Sequence, residues 1–240
     1  SNRTQKELAE QAIEEYKKVL QKDPKDNSSF KAVANLLENL DKKDEWRQWL
    51  TERSENTSIP PEQRAEAYTS LAAKENSCAN EITEDPNIKK TVQEGGKAVF
   101  KFSKPEDTAK LDQLKGCIQR GIEIIDKALA LETDEVKNSK GLDVKPMTDA
   151  QLKAKNDVLK PFESAHSYKT SLLIQSARLA EMEGRTPDKD RFTQEKDVAK
   201  AQFTALADVT KAIRDEQEAR AKAKEAEAAG GAAANTSNNQ

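Results

Sequence analysis

Residues 121–132 read GIEIIDKALALE and carry apolar side chains at the three- and four-residue spacing of an amphipathic helix. One pattern of three residues, here called the sequence frame, occurs twice in the chain. Its second residue lies four positions after the first, and its third residue lies three positions after the second. Its members are Gly121, Ile125 and Ala128 in this segment and Ala12, Tyr16 and Val19 near the N-terminus. A recurring frame of this kind predicts a chain built from repeating helical units.

The composition predicts charged helices with thin apolar faces. Charged residues make up 35% of the 240-residue chain, above the roughly 25% that is usual in globular domains. The 40 basic and 43 acidic residues nearly cancel and leave a net charge of −3. A chain without a basic excess is not expected to bind nucleic acid, and a chain without a long apolar run is not expected to contain an integral membrane segment.

Catalytic and metal chemistry have few candidate residues in this sequence. The chain has two cysteines and one histidine, His166, which are too few for a four-thiolate zinc site, a disulfide-rich scaffold or a His-based metal site. We therefore expect no catalytic, cofactor-binding or metal-binding residues and no enzymatic activity. His166 and the two tryptophans, Trp46 and Trp49, are interpreted as packing residues.

Helical periodicity covers most of the chain and divides it into three regions. Residues 1–213 are predicted to form one helical domain. Residues 214–229 lose the apolar stripe and are predicted to form a charged, Ala-rich helical extension. Residues 230–240 are low in complexity and are predicted to be disordered.

A short β-favouring segment interrupts the helices at residues 88–102. Residues 88–93 and 97–102 favour strands, and Gly95 and Gly96 between them supply the positive φ of a tight turn. The pattern predicts a small β-hairpin inserted into the helical domain. Because an isolated hairpin is only marginally stable in water, it must pack on the helices or on a partner.

The recurring frame, followed at its first occurrence by Pro24, resembles the second helix of a tetratricopeptide repeat (TPR). In that family a small residue lets the two helices of a unit approach, and a larger one fills the gap. Residues 30–50 and 68–132 then resemble two further units, of which the first is irregular because Trp46 replaces a small residue. Residues 148–213 match only as an antiparallel helix pair.

The TPR resemblance implies an all-α fold made of helical hairpin repeats. About three to four helix pairs would stack into a right-handed solenoid with a continuous thin core and a concave groove. The β-hairpin would be an insertion within the third unit. Such arrays usually bind a peptide or protein segment in the groove.

A more specific resemblance is to short exported TPR proteins of some Gram-negative soil bacteria, most of them uncharacterised. The shared order is Tyr-x2-Leu-Ala-Ala, Asn-x-Cys, an insertion, and Cys-x3-Gly before Ile-Asp-Lys-Ala-Leu. Here these motifs occupy residues 68–73, 76–78, 117–121 and 125–129. The resemblance implies export to the periplasm or the outer membrane with the signal segment removed. A cytoplasmic location is the alternative.

Cys78 and Cys117 form a candidate disulfide. The TPR frame pairs the helix over residues 65–82 with the helix over residues 106–132, which implies that the two sulfur atoms lie close together. A disulfide there would clamp the base of the inserted hairpin. It requires an oxidising compartment, and in a cytoplasmic protein both residues would instead be small buried apolar side chains.

Four residues are candidates for partner binding. Lys31 and Asn35 lie four positions apart on a first helix, where similar pairs in chaperone-binding relatives hold a peptide carboxylate. Ser70 stands at the corresponding position of the next repeat, so this clamp is incomplete, and a solvated helix face is the favoured alternative. Phe100 and Phe102 on the hairpin form a candidate apolar patch, and the favoured alternative is that they pin the hairpin to the helices.

The function implied by the TPR resemblance is a non-catalytic scaffold that binds a protein or peptide segment in its groove, with the hairpin adding a contact. The sequence specifies neither the identity of the partner nor the oligomeric state. The alternative is a structural or self-assembling component of the cell envelope that uses the C-terminal helix. A fold by itself does not fix function.

Overall fold

The computed structural model describes the backbone of residues 2–237 and the side chains of residues 4–226. Helices dominate, and one antiparallel two-stranded sheet lies between the fourth and fifth helices. The elements in chain order are α1 (Asn2–Lys22), α2 (Asn27–Asn39), α3 (Lys43–Glu55), α4 (Pro61–Thr83), β1 (Lys89–Glu94), β2 (Lys97–Phe102), α5 (Thr108–Leu129), α6 (Asp134–Lys137), α7 (Asp149–Met182) and α8 (Thr186–Ser237).

Several helices begin where a side chain binds backbone amides that have no partner within the helix. Asp26 accepts such a hydrogen bond before α2, and Asp107 does so before α5. At the start of α7, Thr148 and Gln151 form a capping box, in which each side chain binds the backbone amide of the other residue. The starts of these three helices are therefore determined by local sequence.

Three helices, α2, α4 and α7, run parallel to one another, because successive contacts advance in the same direction along both members of each pair. These contacts are Lys31–Glu66 and Glu38–Lys74 between α2 and α4, and Asn80–Gln175 and Glu84–Arg178 between α4 and α7. The helix that follows each of them returns antiparallel. In each such pair, successive contacts advance along one helix and go back along the other. These contacts are Asn27–Arg53 and Phe30–Trp49 for α2 and α3, Glu75–Arg120 and Cys78–Cys117 for α4 and α5, and Glu163–Thr210 and Glu181–Lys189 for α7 and α8.

The core forms three clusters, and α4 contributes to all of them. Its members are Ala67 and Leu71 in the cluster with α1–α3, Ala65 and Ala72 in the cluster with α5–α8, and Ala79 and Ile82 in the cluster with the first half of α5. Most of these side chains are small, which lets neighbouring helices approach α4 from three sides. Trp46 is buried in the first cluster, where Trp49 also stacks on Phe30 with ring centroids 5.4 Å apart.

Gly121 of α5 lies where α4, α5 and α7 come closest together. A β-carbon at this position would lie 2.5 Å from Cδ2 of Leu172 in α7 and 3.3 Å from Cβ of Glu75 in α4. Leu172 is completely buried, so its side chain has little room to turn away. The small member of the sequence frame is therefore required here by contacts with two other helices.

A buried carboxylate joins three helices beside Gly121. Glu75 of α4 is only 3% exposed. It accepts hydrogen bonds from Arg47 of α3 at 3.1 Å and from Nη2 and Nε of Arg120 of α5 at 2.9 and 3.1 Å. A carboxylate removed from water is costly unless it is paired, so these two arginines fix how α3 and α5 lie against α4.

The disulfide between Cys78 and Cys117 is present, with Cα atoms 6.1 Å apart. It joins the last part of α4 to the first half of α5. The chain between the two cysteines contains the whole hairpin. The disulfide therefore ties the two helices from which the hairpin projects.

The predicted hairpin is confirmed. Strands β1 and β2 pair in register from Lys89 opposite Phe102 to Glu94 opposite Lys97. Gly95 and Gly96 at the turn have φ values of 58° and 79°, which glycine adopts without steric cost.

The C-terminal helix α8 runs without a break from Thr186 to Ser237 and includes residues 214–229, the segment predicted to be a charged helical extension. The strong helix propensity of alanine favours a helix in this Ala-rich segment. The backbone of residues 230–237, in the tail predicted to be disordered, continues the same helix. Residues 238–240, the end of the tail predicted to be disordered, lie outside the described residues.

Part of the charged extension also packs on the domain. Arg220 donates to the carbonyl oxygens of Lys145 and Met147 at 3.0 and 2.8 Å. Asp149 pairs with Arg220 at 3.0 Å and with Lys224 at 2.7 Å. Polar contacts thus hold α8 to the start of α7 where its apolar stripe has ended.

We expect Gly121→Ala to destabilise the fold by about 1–2 kcal/mol, because overpacking costs more than alanine gains in a helix. Urea unfolding at neutral pH would measure the change. The matched control is Gly116→Ala on the same helix, where the nearest atom is the tip of the mostly exposed Arg120 side chain. Equal stability changes for the two variants would contradict the close approach at Gly121.

We expect replacement of both Cys78 and Cys117 by alanine to lower stability by about 3–4 kcal/mol. The physical reason is that a cross-link over 39 positions restricts the unfolded chain. Urea unfolding of the oxidised protein and of the double variant would measure the difference. A reducing agent should lower the urea unfolding midpoint of the wild type and leave that of the double variant unchanged. If it lowered both midpoints equally, the stability difference could not come from this disulfide.

Candidate functional site

A continuous groove, here called the inner groove, runs along α2 and α4. Its wider part, of about 660 Å³, lies between α2, α4 and the first half of α7. Its narrower part, of about 310 Å³, lies between α2, α3 and α4. The two parts share four lining residues, Lys31, Glu66, Ser70 and Ala73, and therefore form one surface.

The narrower part of the inner groove has an apolar floor made of core residues. Phe30, Trp46 and Leu50 line this part and are almost fully buried. Small side chains continue along α4, where Ala67 and Ala73 line the same part. Because these side chains are short, another chain could lie close to the backbone of α4.

The rim of the wider part carries both signs of charge. Its charged residues are Lys25, Asp26, Lys31, Glu62, Glu66, Lys153, Asp157 and Lys160. Several of these groups are already paired within the chain, such as Lys153 with Asp157 at 2.7 Å. The rim therefore has no strong preference for an anion or a cation and is suited to a ligand with mixed polar groups.

Lys31 and Asn35, the candidates from the sequence, both line the inner groove. Lys31 forms an ion pair with Oε1 of Glu66 at 2.9 Å, and Asn27 donates to Oε2 of the same carboxylate at 2.7 Å. A ligand carboxylate would have to compete with Glu66 for Lys31. The role of Lys31 and Asn35 in binding stays a prediction.

The end of the groove near the α1–α2 loop is held rigid by hydrogen bonds. The Ser29 hydroxyl donates to Asp26 at 2.6 Å and lowers the pKa of this carboxyl group. Arg53, whose pKa is lowered by burial, donates to the carbonyl oxygen of Pro24 and to Oε1 of Gln63, both at 2.5 Å. This end of the groove is therefore preformed rather than created by a ligand.

The structure adds one wall of the inner groove that the sequence did not reveal. The residues that α7 contributes are Lys153, Asn156, Asp157, Lys160, Pro161, Ser164 and Tyr168. Most of them are polar and lie three or four positions apart on one face of the helix. In a sequence this pattern is the same as that of an ordinary solvated helix face, so it could not identify a groove.

The two phenylalanines of the hairpin have different environments. The ring of Phe102 lies 4.4 Å from the guanidinium carbon of Arg178 on α7, which pins the base of β2 to the helices. Phe100 is 58% exposed, and the amine of Lys89 lies 4.3 Å from its ring centroid. Phe100 therefore remains the candidate for a contact with a partner.

His166 lines a separate cavity of about 550 Å³ between α6, α7 and α8. Its Nε2 lies 2.6 Å from Oε1 of Glu132, and its buried Nδ1 has no hydrogen-bond partner. The ring is nearly buried among core residues. The packing role of His166 stays a prediction.

A scan of protein-family models and searches of curated proteins and of solved structures found no match to this chain. Within residues 2–237, none of the helices combines the length and the apolar character needed to cross a membrane. The described side chains contain no cluster of three or more His, Cys, Asp or Glu residues arranged to hold a metal ion.

The ion pairs at the base of the hairpin predict how stability depends on pH. Lys89 and Arg178 both bind Glu84 and lower its pKa from the ordinary value of 4.5, with the hydrogen bond from Lys89 the largest cause. Because the folded-state pKa is lowered, this stabilisation is full above the unfolded-state pKa and is lost as the pH falls through the folded-state value.

We therefore expect Glu84→Gln to lose less stability than the wild type as the pH falls from about 6 to about 3. Urea midpoints measured across this range would test the expectation. Glu81→Gln, in the last turn of α4 just before Glu84, is the control, because Glu81 is exposed and forms no ion pair among the described side chains. If the urea midpoints of Glu84→Gln and the wild type fell equally with pH, the ion pairs of Glu84 with Lys89 and Arg178 would contribute nothing to stability.

Proposed function

We propose that this chain is a non-catalytic, TPR-like scaffold that binds an extended segment of another protein in the inner groove. The observation that carries the proposal is the continuity of the groove along α2 and α4. The parallel course of α2, α4 and α7, each followed by an antiparallel helix, supports a stacked arrangement in which first helices line the concave side.

The form of the inner groove favours a peptide over a small molecule. Small-molecule sites are usually enclosed and mainly apolar, with a few polar groups that fix the orientation of the ligand. The inner groove is instead long, with a mixed polar rim and a floor of short side chains. An extended backbone could lie along this floor while its side chains contact charges of both signs on the rim.

The disulfide supports a location outside the reducing cytoplasm. Disulfides persist mainly in oxidising compartments, and Cys78 and Cys117 account for all the cysteine in the chain. We include the periplasm, free or at the outer membrane, in the proposal. The exposed Phe100 supports a second, smaller contact between the hairpin and the partner.

We expect peptides selected on this protein to bind in the inner groove. A phage library of random peptides would be selected on the intact oxidised chain, and the affinity of the enriched peptides measured by fluorescence polarisation. Ser70→Trp places a large side chain in the region shared by both parts of the groove. We expect it to weaken binding at least about tenfold, as steric blocks at interface centres commonly do.

The control is Glu81→Trp, which introduces the same residue at an exposed position of α4 outside the groove. We expect this variant to bind like the wild type, and circular dichroism to be the same for both. Phe100→Ser would report any contribution from the hairpin. Enriched peptides that bind the Ser70→Trp variant at full affinity would refute the groove as the site, and a selection without enrichment would refute peptide binding.

A further inference from the structure

The cavity beside His166, here called the His166 cavity, is separate from the inner groove. It is lined by α6, the loops on either side of α6, α7 and α8. Among the described residues, none lines both this cavity and the inner groove. Its volume of about 550 Å³ lies within the range of about 300–1,000 Å³ that is usual for small-molecule sites.

One part of the lining is apolar and is made mostly of short side chains. Ala201 and Ala205 lie one turn apart on α8, next to the buried Leu206. Val136 of α6, which is 2% exposed, lines the same cavity. Because the alanine side chains are short, they leave space that larger residues on α8 would fill. This part of the lining can hold the apolar portion of a ligand.

Two lysines in the lining are not engaged elsewhere. Lys137 on α6 and Lys140 in the loop after it are exposed, and neither forms an ion pair among the described side chains. A lysine amine carries three hydrogen-bond donors at the end of a flexible stem. Both amines can therefore turn toward one anionic group, such as a carboxylate, in the cavity.

The lining also contains a carboxylate with one free oxygen. Nε2 of His166 lies 2.6 Å from Oε1 of Glu132, and it is the donor because an ionised carboxylate only accepts. Oε2 of Glu132 has no hydrogen-bond partner among the described residues. His166 thus holds one oxygen of Glu132 and leaves the other able to accept from a ligand.

Polar groups around Glu132 are not fully satisfied within the chain. Among the described residues, four buried side-chain nitrogen or oxygen atoms have no hydrogen-bond partner. Two of them are Nδ1 of His166 and Oγ1 of Thr133, the residue that follows Glu132. Buried polar atoms without partners are rare and costly in folded proteins. Their concentration here favours a site at which a polar ligand adds the missing contacts.

We propose that the His166 cavity binds a free amino acid with an aliphatic side chain. The carboxylate of the ligand pairs with Lys137 and Lys140, and its ammonium group pairs with Oε2 of Glu132. The aliphatic side chain lies on the apolar part of the lining. An acid without the ammonium group would face the charge of Glu132 unpaired, and an amine without the carboxylate would face two lysines. The lining therefore selects a molecule that carries both charges.

The test is isothermal titration calorimetry of the intact oxidised chain with three probes of the same shape. They are L-leucine, isocaproate, which lacks the ammonium group, and isoamylamine, which lacks the carboxylate. We expect leucine to bind at least about tenfold more tightly than either analogue, since each analogue leaves a charge of the site unpaired. Absence of leucine binding up to about 10 mM, weaker than ordinary ligand affinities, would overturn the proposal, as would equal affinities for leucine and isocaproate.

Filling the cavity tests the location of the site. Ala205→Phe should weaken leucine binding at least about tenfold, because the ring takes up the space beside α8. The control is Ala219→Phe, at an exposed position of α8 outside the cavity, and it should bind leucine like the wild type. Full affinity in the Ala205→Phe variant would place leucine elsewhere and overturn the assignment.

Removing the lysines tests recognition of the carboxylate. Lys137→Gln combined with Lys140→Gln should weaken leucine binding about tenfold. The control combines Lys97→Gln and Lys127→Gln, two exposed lysines outside the cavity that form no ion pair among the described side chains. Equal losses in the two double variants would show a general charge effect and overturn the role of the two lining lysines.

Glu132→Gln tests recognition of the ammonium group. Because the amide removes the negative charge, leucine should bind more weakly and isocaproate more tightly than to the wild type. A merely disturbed fold would weaken both, so a loss for both probes would overturn the role of Glu132, and urea midpoints would check the folding of each variant. Peptide binding in the inner groove uses other residues, so its success or failure is a separate outcome.

Discussion

The close approach of α5 to α4 and α7 at Gly121 sets the geometry on which the rest of the domain depends. A β-carbon there would overlap the buried side chain of Leu172, so any larger residue would force Leu172 or one of the three helices to shift. Beside it, Glu75 holds Arg47 and Arg120. Packing at Gly121 sets the distance between α4, α5 and α7, and the ion pairs of Glu75 fix how α3 and α5 lie against α4, because a buried carboxylate is costly unless it is paired.

This junction explains why the inner groove is open and preformed. Since α4 packs through small side chains on three clusters, α2 and α7 can lie parallel to it, and the polar faces of these helices form the walls. The Arg53 hydrogen bonds fix the loop at one end of the groove. A ligand that binds a preformed surface loses less free energy to ordering the protein.

Outside the junction, polar contacts and the disulfide compensate for a thin apolar core. The disulfide ties α4 to α5 around the inserted hairpin, and Arg178 holds Phe102 at the hairpin base. Arg220 fastens the charged part of α8 to the start of α7. A chain that is 35% charged thus uses its charges as specific contacts between elements as well as for solvation.

The sequence by itself determined the helices and the hairpin, because helical periodicity and the Gly95–Gly96 turn act within a few residues. It also placed Cys78 and Cys117 together, through the TPR resemblance rather than through local chemistry. Only the tertiary structure decided that α7 forms a wall of the groove, that Glu66 pairs with Lys31, and that Glu75 binds two arginines. A polar helix face has the same sequence pattern whether it faces water or lines a groove. Which of the two it does depends on where the helices lie, and their positions are set by packing between residues far apart in the chain.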